Sequence, residues 1–313
     1  MKDEFDQRLG EAKRNTDAVR RDLRELDVFL FNGREREWDT ARKRWNDPEE
    51  IFDTTAAEAS LEFTGDLFQY ATPSTQPWVE FEIGSAVSDE NADEVTELVE
   101  AREKHLADAI ASSNYYDRGA EIFQEASLGV IACNIERPSL SSAIEFEPVP
   151  LSELHMTVGA QGIEDRFRCK PVWTRDIMRL FPDYKPSTKM KKKLEDHGTC
   201  RVKWGYWRDY SDPADPKWFH KAKVEDEPAF EGELGREGAC PLIIGRFNPI
   251  PRVPHGRGPA WMMLPEIRSI DALRRMIMEN LDRTVDPAVT YTRDGLLDLS
   301  DGIEAGMAYP TMP

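Results

Sequence analysis

The stretch VPHGRGPAWMMLPEIRSIDALRRMIMENLDRTVDPAV, residues 253–289, predicts a tight turn that leads into a long helix. Gly256 and Gly258 are expected to adopt backbone conformations that other residues avoid, and Pro265 is compatible with the first turn of a helix. Apolar residues then recur every three or four positions, as on one face of a helix; they are Leu264, Ile267, Ile270, Leu273, Ile277, Leu281 and Val285. The opposite face carries Arg268, Arg275, Glu279 and Asp282. We therefore predict an amphipathic helix roughly 33 Å long that stops at Asp286-Pro287.

Four helices are predicted before residue 130. The first covers residues 3–31, and the second begins near Asp47-Pro48 and continues through EEIFDTTAAEASLEFTGDLFQY. A third covers residues 91–117 and a shorter fourth covers residues 119–128. Alternating residues at 78–83 predict a strand, and the apolar stretch GVIACNIE predicts another.

Residues 146–247 are predicted to form mostly strands and turns. Short helices are expected in RCKPVWTRDIMRLFP and TKMKKKLEDHG, and strands in RVKWGYWRDY, SDPADPKWFHKAKVEDEP and CPLIIGRFNPIPRVP. These strands indicate an antiparallel meander, so the predicted fold class is α+β. After the long helix, AVTYTRDGLLDL predicts a strand, an Asp-Gly turn and a second strand.

The charge balance argues against one class of function. The 313 residues include 59 acidic and 41 basic side chains, which gives a net charge of −18. A protein that reads nucleic-acid sequence needs a basic surface to neutralise phosphates. Negative charge is instead compatible with a protein past which DNA slides, because repulsion prevents adhesion. The charged N-terminus is not a signal peptide, and no apolar run is long enough to span a membrane, so we expect a soluble, intracellular protein.

The residues predict no catalytic, cofactor or metal site. The four cysteines, Cys133, Cys169, Cys200 and Cys240, form no CxxC pair and are expected to be reduced thiols. The histidines, His105, His155, His197, His220 and His255, form no helical ligand pair, and His197 with Cys200 is a weak zinc candidate. DLSDG at 298–302 is more typical of a turn than of a calcium loop. None of the motifs GxSxG, GxxxxGK[ST] and HExxH occurs.

Two other clusters have both a structural and a binding interpretation. The aromatic residues Trp204, Tyr206, Trp207 and Tyr210 could stack on single-stranded bases. Aromatic residues of a strand usually belong to a core, however, and we favour that interpretation. The lysines Lys189, Lys191, Lys192 and Lys193 could contact phosphate or an acidic partner, but such a run usually forms a solvated helix face.

Four stretches resemble the head-to-tail connecting (portal) proteins of short-tailed, podovirus-type bacteriophages. They are FDTTAAEASLEFTGDLFQYATPSTQPWVEFEI, HLADAIASSNYYDRGAEIFQEASLGVIACNIE, CPLIIGRFNPIPRVPHGRGPAWMMLPEIRSIDALRRM and VDPAVTYTRDG. The third is the most specific, because the family joins a Pro-apolar strand ending in Arg-aromatic to a Gly-Arg-Gly-Pro turn and a long helix. The resemblance extends over roughly residues 47–300 and departs at His255, where the family commonly has tyrosine. A histidine there leaves open a response of the turn to pH.

The resemblance implies an α+β portal-protein fold and a subunit of a ring. It divides the chain into an N-terminal helical segment (1–46), a wing body of helices and antiparallel strands (47–255), a hinge with a long stem helix (256–286) and the start of a clip (287–313). The hinge would consist of Gly256, Arg257, Gly258 and Pro259, and the seven apolar residues of the long helix would pack on neighbouring stem helices. Portal proteins continue with a returning helix, a tunnel loop and a crown. We therefore expect a fragment, a split gene product or a truncated reading frame.

The resemblance also implies a structural function without catalysis or cofactors. Twelve copies would form a ring at one capsid vertex, through which double-stranded DNA is packaged and ejected without sequence specificity. The expected partners are further copies of the chain, the terminase packaging motor, capsid and scaffold proteins, and tail adaptor proteins, with no membrane. The expected locations are the portal vertex of the virion and, during assembly, the host cytoplasm. Two other functions stay open: a non-portal virion adaptor or scaffold protein, and an acidic cytosolic hydrolase with an unrecognised carboxylate site.

Overall fold

A computed structural model describes residues 3–31, 38–39, 44–45, 51–82, 92–137, 142–159, 162–196, 198–212, 216–236, 238–285, 287, 289–292 and 308–311. These residues form helices and mostly antiparallel sheets, which confirms the α+β class. The chain divides into two compact units, the first of Met1–Glu25 with Ala59–Trp261 and the second of Leu26–Glu58 with Met262–Pro313. The division of the chain into N-terminal segment, wing, stem and clip stays a prediction.

The helices follow the predicted order, with several boundaries moved. They are α1 (Glu4–Asp17), α2 (Arg20–Phe31), α3 (Thr55–Ala71), α4 (Ala92–Ala111), α5 (Tyr115–Phe123), α6 (Thr174–Leu180), α7 (Thr188–Glu195), α8 (Pro259–Met262) and α9 (Leu264–Val285). A 3-10 helix, Gln124–Ser127, follows α5. The single helix predicted for residues 3–31 is therefore two helices, α1 and α2, whereas the long helix α9 is confirmed.

Hydrogen bonds from side chains explain two of the moved boundaries. The second predicted helix does not include residues 51–54, because the Asp53 carboxylate accepts a hydrogen bond from the Thr55 N–H at 2.9 Å and caps α3 there. The third predicted helix ends at Ala111. Beyond it, the Ser113 hydroxyl donates to the Ile110 carbonyl at 2.6 Å and accepts from the Tyr115 N–H at 3.1 Å, so α5 begins separately.

In the described part of the chain, the strands form one large sheet and three small ones. They are β1 (Trp38–Asp39), β2 (Arg44–Trp45), β3 (Val130–Glu136), β4 (Glu145–Pro148), β5 (Leu154–Gly159), β6 (Gly162–Trp173), β7 (Thr199–Asp209), β8 (Lys217–Val224), β9 (Glu227–Gly235), β10 (Leu242–Arg246), β11 (Val289–Thr292) and β12 (Ala308–Thr311). Strands β5 to β9 form an antiparallel meander in sequence order, as predicted. Strand β10 does not belong to it. It pairs with β3, Ile243 opposite Cys133, in a sheet of order β10-β3-β4.

Two predicted strands have different outcomes. Residues 77–82 form neither helix nor strand, so the strand predicted over 78–83 is wrong for the described part. Strand β11 is confirmed, but it pairs in parallel with β12. The predicted Asp-Gly turn and the strand after it lie outside the described residues.

The first unit is built around the meander. One apolar cluster joins α1 to the sheet through Phe5, Leu9, Ala12, Phe167 and Trp207. A second joins α6 and α7 to the sheet through Val172, Ile177, Phe181, Tyr184, Met190, Cys200, Val202, Ala222 and Val224. A third joins α4 and α5 to β4 through Ile110, Tyr115, Ile122 and Phe146. These clusters give the first unit a core of its own, and the turn before α8 belongs to this unit.

Candidate functional site

Helix α9 exposes most of its apolar residues. Leu264 is the only buried residue of the 22 in this helix, and Ile267 is half-buried. The remaining five predicted packing residues are exposed by 43 to 82%; they are Ile270, Leu273, Ile277, Leu281 and Val285, and we call them the apolar stripe. The stripe is a continuous apolar surface in the single chain. Its packing against neighbouring helices stays a prediction.

A short segment of the second unit is bound to the charged side of α9. One carboxylate oxygen of Asp271 accepts hydrogen bonds from the backbone N–H of Phe52 at 2.7 Å and of Asp53 at 3.1 Å. In return, the Asp53 carboxylate forms an ion pair with Arg274 at 2.8 Å. The Arg275 guanidinium lies 4.7 Å from the centre of the Phe52 ring. We call these five residues the clamp, because they join the start of α3 to the middle of α9.

Asp53 is the buried charge of the clamp, with 6% of its surface exposed. Burial raises the pKa of its carboxyl group, but hydrogen bonds from Thr55 and the charge of Arg274 lower it more, so the net pKa is below the ordinary value. Asp53 is therefore an anion at neutral pH. Asp53 before Thr55, with Glu58 three residues further on, is a helix-start pattern that could have located this end of α3. The bond from Phe52 to Asp271 spans 219 residues, and no local pattern predicts it.

Two of the three clamp residues on α9, Asp271 and Arg275, lie on the face opposite the apolar stripe, whereas Arg274 lies beside it, about 40° around the helix from Ile270 and about 60° from Ile277. Successive residues of a helix are about 100° apart around its axis, so Ile277 lies about 200° around from Arg275 and Leu273 lies about 200° from Asp271. The contacts of Asp271 and Arg275 therefore use the charged face, while Arg274 reaches Asp53 from beside the stripe. The apolar stripe is left available to another protein surface.

The glycine turn, residues 256–259, is held against the loop that leads into β3. The Phe247 N–H donates to the Gly129 carbonyl at 2.9 Å, and the Gly258 N–H donates to the Leu128 carbonyl at 3.3 Å. A β-carbon on Gly258 would lie 2.6 Å from the Gly129 nitrogen and would overlap the Ser127 carbonyl. The turn therefore requires glycine because two backbones approach closely.

The expected backbone conformation of these glycines is wrong. Gly256 and Gly258 have ordinary φ angles, whereas their neighbour Gly129 has a φ of +113°. Arg257 is exposed, with its guanidinium 5.8 Å from the centre of the Trp261 ring, and Pro259 begins α8. Their role as a hinge stays a prediction.

His255, the residue before the glycine turn, is 1% exposed. Neither of its ring nitrogens has a hydrogen-bond partner among the described residues. Burial lowers the pKa of His255 to about 4, because the charged imidazolium would lose its hydration. The ring is therefore neutral at physiological pH.

The other clusters of the sequence form no site in the described part of the chain. Tyr206 and Trp207 are buried in the core, as expected, while Tyr210 is 41% exposed. Within α7, Lys193 pairs with Glu225 at 2.6 Å. All four cysteines are free thiols. No group of three or more potential metal ligands occurs among the described residues, and His197 lies outside them.

Comparison with known protein families decides what kind of protein carries this helix. A family model described as bacteriophage head to tail connecting protein matches residues 2–307. The chain belongs to this family. The match contains the clamp, the glycine turn and the whole of α9, and it confirms the resemblance found in the sequence. The connector is thus a structural component of the bacteriophage virion, at the junction of head and tail.

Two further findings accompany the family assignment. A search of curated proteins found no match to the connector. Among the described residues, no helix is long and apolar enough to cross a membrane.

Proposed function

We propose that this connector is a subunit of the portal ring of a bacteriophage. Copies of the chain surround a channel at one capsid vertex, and double-stranded DNA passes through this channel during packaging and ejection. Family resemblance suggests twelve copies. The connector acts as a conduit and not as an enzyme.

The apolar stripe on α9 carries this proposal. Its five large side chains cover residues 270–285, about 22 Å of helix, and each is exposed by 43% or more. Exposed contiguous apolar surface on a folded protein usually marks an interaction site. Burying the exposed half of one such side chain is worth about 1 kcal/mol, so burying the stripe would contribute about 5 kcal/mol to each contact between copies, against the entropic cost of association.

We assign the remaining parts of the chain to the parts of a portal protein by their resemblance to that family. Residues 1–46 form the N-terminal helical segment, residues 47–255 the wing, 256–286 the hinge and stem, and 287–313 the start of the clip to which the terminase motor binds. Capsid and scaffold proteins and tail adaptors are the further partners, first in the host cytoplasm and then in the virion. The net charge of −18 supports a channel in which threaded DNA slides without adhering to the wall.

Electron microscopy of the purified connector tests the proposal. We expect closed rings with a central channel for the wild-type protein and single subunits for the variant Ile277→Glu/Leu281→Glu. The control variant Leu61→Glu makes the same chemical change at another side chain, 60% exposed on α3, and should form rings. Compact monomers of wild-type protein would refute the proposal. Assemblies without an open channel would favour a virion adaptor or scaffold protein.

A further inference from the structure

A groove of about 510 Å³ lies beside α9 in the second unit. On one side it is lined by Val28, Phe29 and Ile51, and on the other by residues of α9 that include Arg268, Ala272 and Met276. Met276 is 58% exposed. The walls are therefore mixed, since Asp271, Arg275 and Glu279 line the groove beside Arg268 and the apolar residues, and one side is open to another side chain.

The groove and the apolar stripe lie on opposite faces of the same helix. Arg275 lies near the middle of the groove residues, and Ile277 of the stripe is about 200° around the helix from it. The two surfaces also occupy stretches of α9 that are equal in length and nearly equal in position along the helix. The groove uses α9 from Arg268 to Glu279, and the central part of the stripe extends from Ile270 to Leu281, each about 17 Å.

We propose that the apolar stripe of one copy packs into the groove of the next copy. This inference rests on the proposed ring and specifies its contact as heterologous, with two different surfaces that meet. Heterologous contacts on opposite faces can repeat from copy to copy and close into a ring. A contact of stripe with stripe would instead be isologous and would end at two copies.

Charge complementarity supports a second copy as the occupant. Rotation about a ring axis keeps every residue at its own height, so residues of similar number meet across the contact. Glu266 lies on the stripe face, one turn before Ile270, and forms no ion pair with any described residue. At nearly the same height the groove presents Arg268. Glu266 of one copy therefore approaches Arg268 of the next, and its acidic charge meets a basic one.

A mixing experiment with two variants of the full chain tests the inference. The stripe variant is Ile277→Glu/Leu281→Glu, and the groove variant is Ala272→Lys/Met276→Lys; all four positions are exposed, so folding should be preserved. Circular dichroism and melting temperature check the fold of each. Native mass spectrometry then reports the number of chains in each species.

The heterologous contact predicts a distinctive result. Each variant alone should need more than tenfold higher concentration than wild type to assemble. A 1:1 mixture should form a species with one copy of each variant, because the intact stripe of one fits the intact groove of the other. This two-chain species should not add further copies, because the two surfaces that it leaves unpaired are the altered stripe and the altered groove.

The outcomes separate this inference from the proposed function. Wild-type protein that stays monomeric would overturn both. Wild-type rings with a groove variant that assembles normally, or a mixture that forms no one-to-one species, would overturn the heterologous contact alone. The charge pair has its own test: Glu266→Arg and Arg268→Glu should each weaken assembly at least fivefold, and their combination in one chain should restore most of the loss. Additive losses in the double variant would contradict the pairing of Glu266 with Arg268.

Discussion

Replacing Gly258 by alanine should destabilise the first unit, although alanine is the smallest possible change. The added β-carbon would lie 2.6 Å from the Gly129 nitrogen and closer still to the Ser127 carbonyl. Both obstacles are backbone atoms, so no side chain can rotate to relieve the overlap. Separating the two backbones would also stretch the 3.3 Å bond from the Gly258 N–H to the Leu128 carbonyl. Overpacking of this kind costs about 3 kcal/mol, which corresponds to a fall in melting temperature of roughly 6–12 °C.

Denaturant unfolding followed by circular dichroism measures this effect. Gly65→Ala is the matched control, because Gly65 lies within α3 and an added β-carbon meets nothing within 4 Å. Alanine is favoured over glycine inside a helix by about 0.5–1 kcal/mol, so the control should be more stable than wild type. The same substitution should therefore have opposite signs at the two positions. A Gly258→Ala variant within 0.5 kcal/mol of wild type would refute the close approach of the two backbones.

Three further predictions concern the clamp, the buried histidine and DNA. Asp53→Ala should lower the free energy of unfolding, measured with denaturant, by about 1–2 kcal/mol, because it removes the cap of α3. The control Asp66→Ala, at an exposed position, should lower it by less than about 0.5 kcal/mol. Because the pKa of His255 is lowered to about 4 and an unfolded histidine titrates near 6.5, stability should fall between about pH 6.5 and pH 4. In the variant His255→Phe, this loss of unfolding free energy should be smaller than in wild type by on the order of 3 kcal/mol. The same pH dependence of stability in wild type and variant would contradict the prediction. In a filter-retention assay, assembled rings should retain linear DNA by threading, with little dependence on salt, and should hardly retain closed circular DNA. Firm binding of closed circles would indicate that the protein binds DNA on its surface.

The elements that the sequence predicted correctly are those with a strong local period. The three-to-four spacing from Leu264 to Val285 predicted α9, and the apolar stretch at 129–136 predicted β3. The strand-rich region at 154–235 predicted the meander, because its neighbouring strands are consecutive in the chain. Helix α9 and strand β3 have a clear pattern in their own sequence, and in the meander the pairing partners are also close in sequence, so local patterns are informative.

The errors arose where distant residues decide the structure. Strand β10 pairs with β3, which precedes it by more than a hundred residues, so its sequence position beside the meander was misleading. Residues 51–54 were included in the helix predicted to begin near Asp47-Pro48, but Asp271 binds the backbone N–H of Phe52 and Asp53 instead. The tight bend predicted at Gly256, Gly258 and Pro259 lies earlier, as a turn at 251–252 and a bend at 254–255. The reason for glycine at 256 and 258 is the approach of residues 127–129, which the local sequence does not reveal.

The family and the exposed helix face were accessible from sequence, but the groove was not. Alternating charged and apolar residues along α9 were sufficient to identify the stripe. The groove also needs Val28, Phe29 and Ile51, which lie more than two hundred residues before α9. Only the tertiary structure brings them to the face opposite the stripe.

The central claim is that the apolar stripe of α9 becomes buried when copies of the connector assemble. Covalent side-chain footprinting with mass spectrometry tests it directly, by comparing labelling of Ile277 and Leu281 in separated subunits and in the assembled protein. Both are more than 50% exposed in the single chain. We predict at least a fivefold drop in their labelling on assembly, with unchanged labelling of Leu61, which is 60% exposed on α3. Equal labelling of Ile277 and Leu281 in subunit and assembly would contradict the claim.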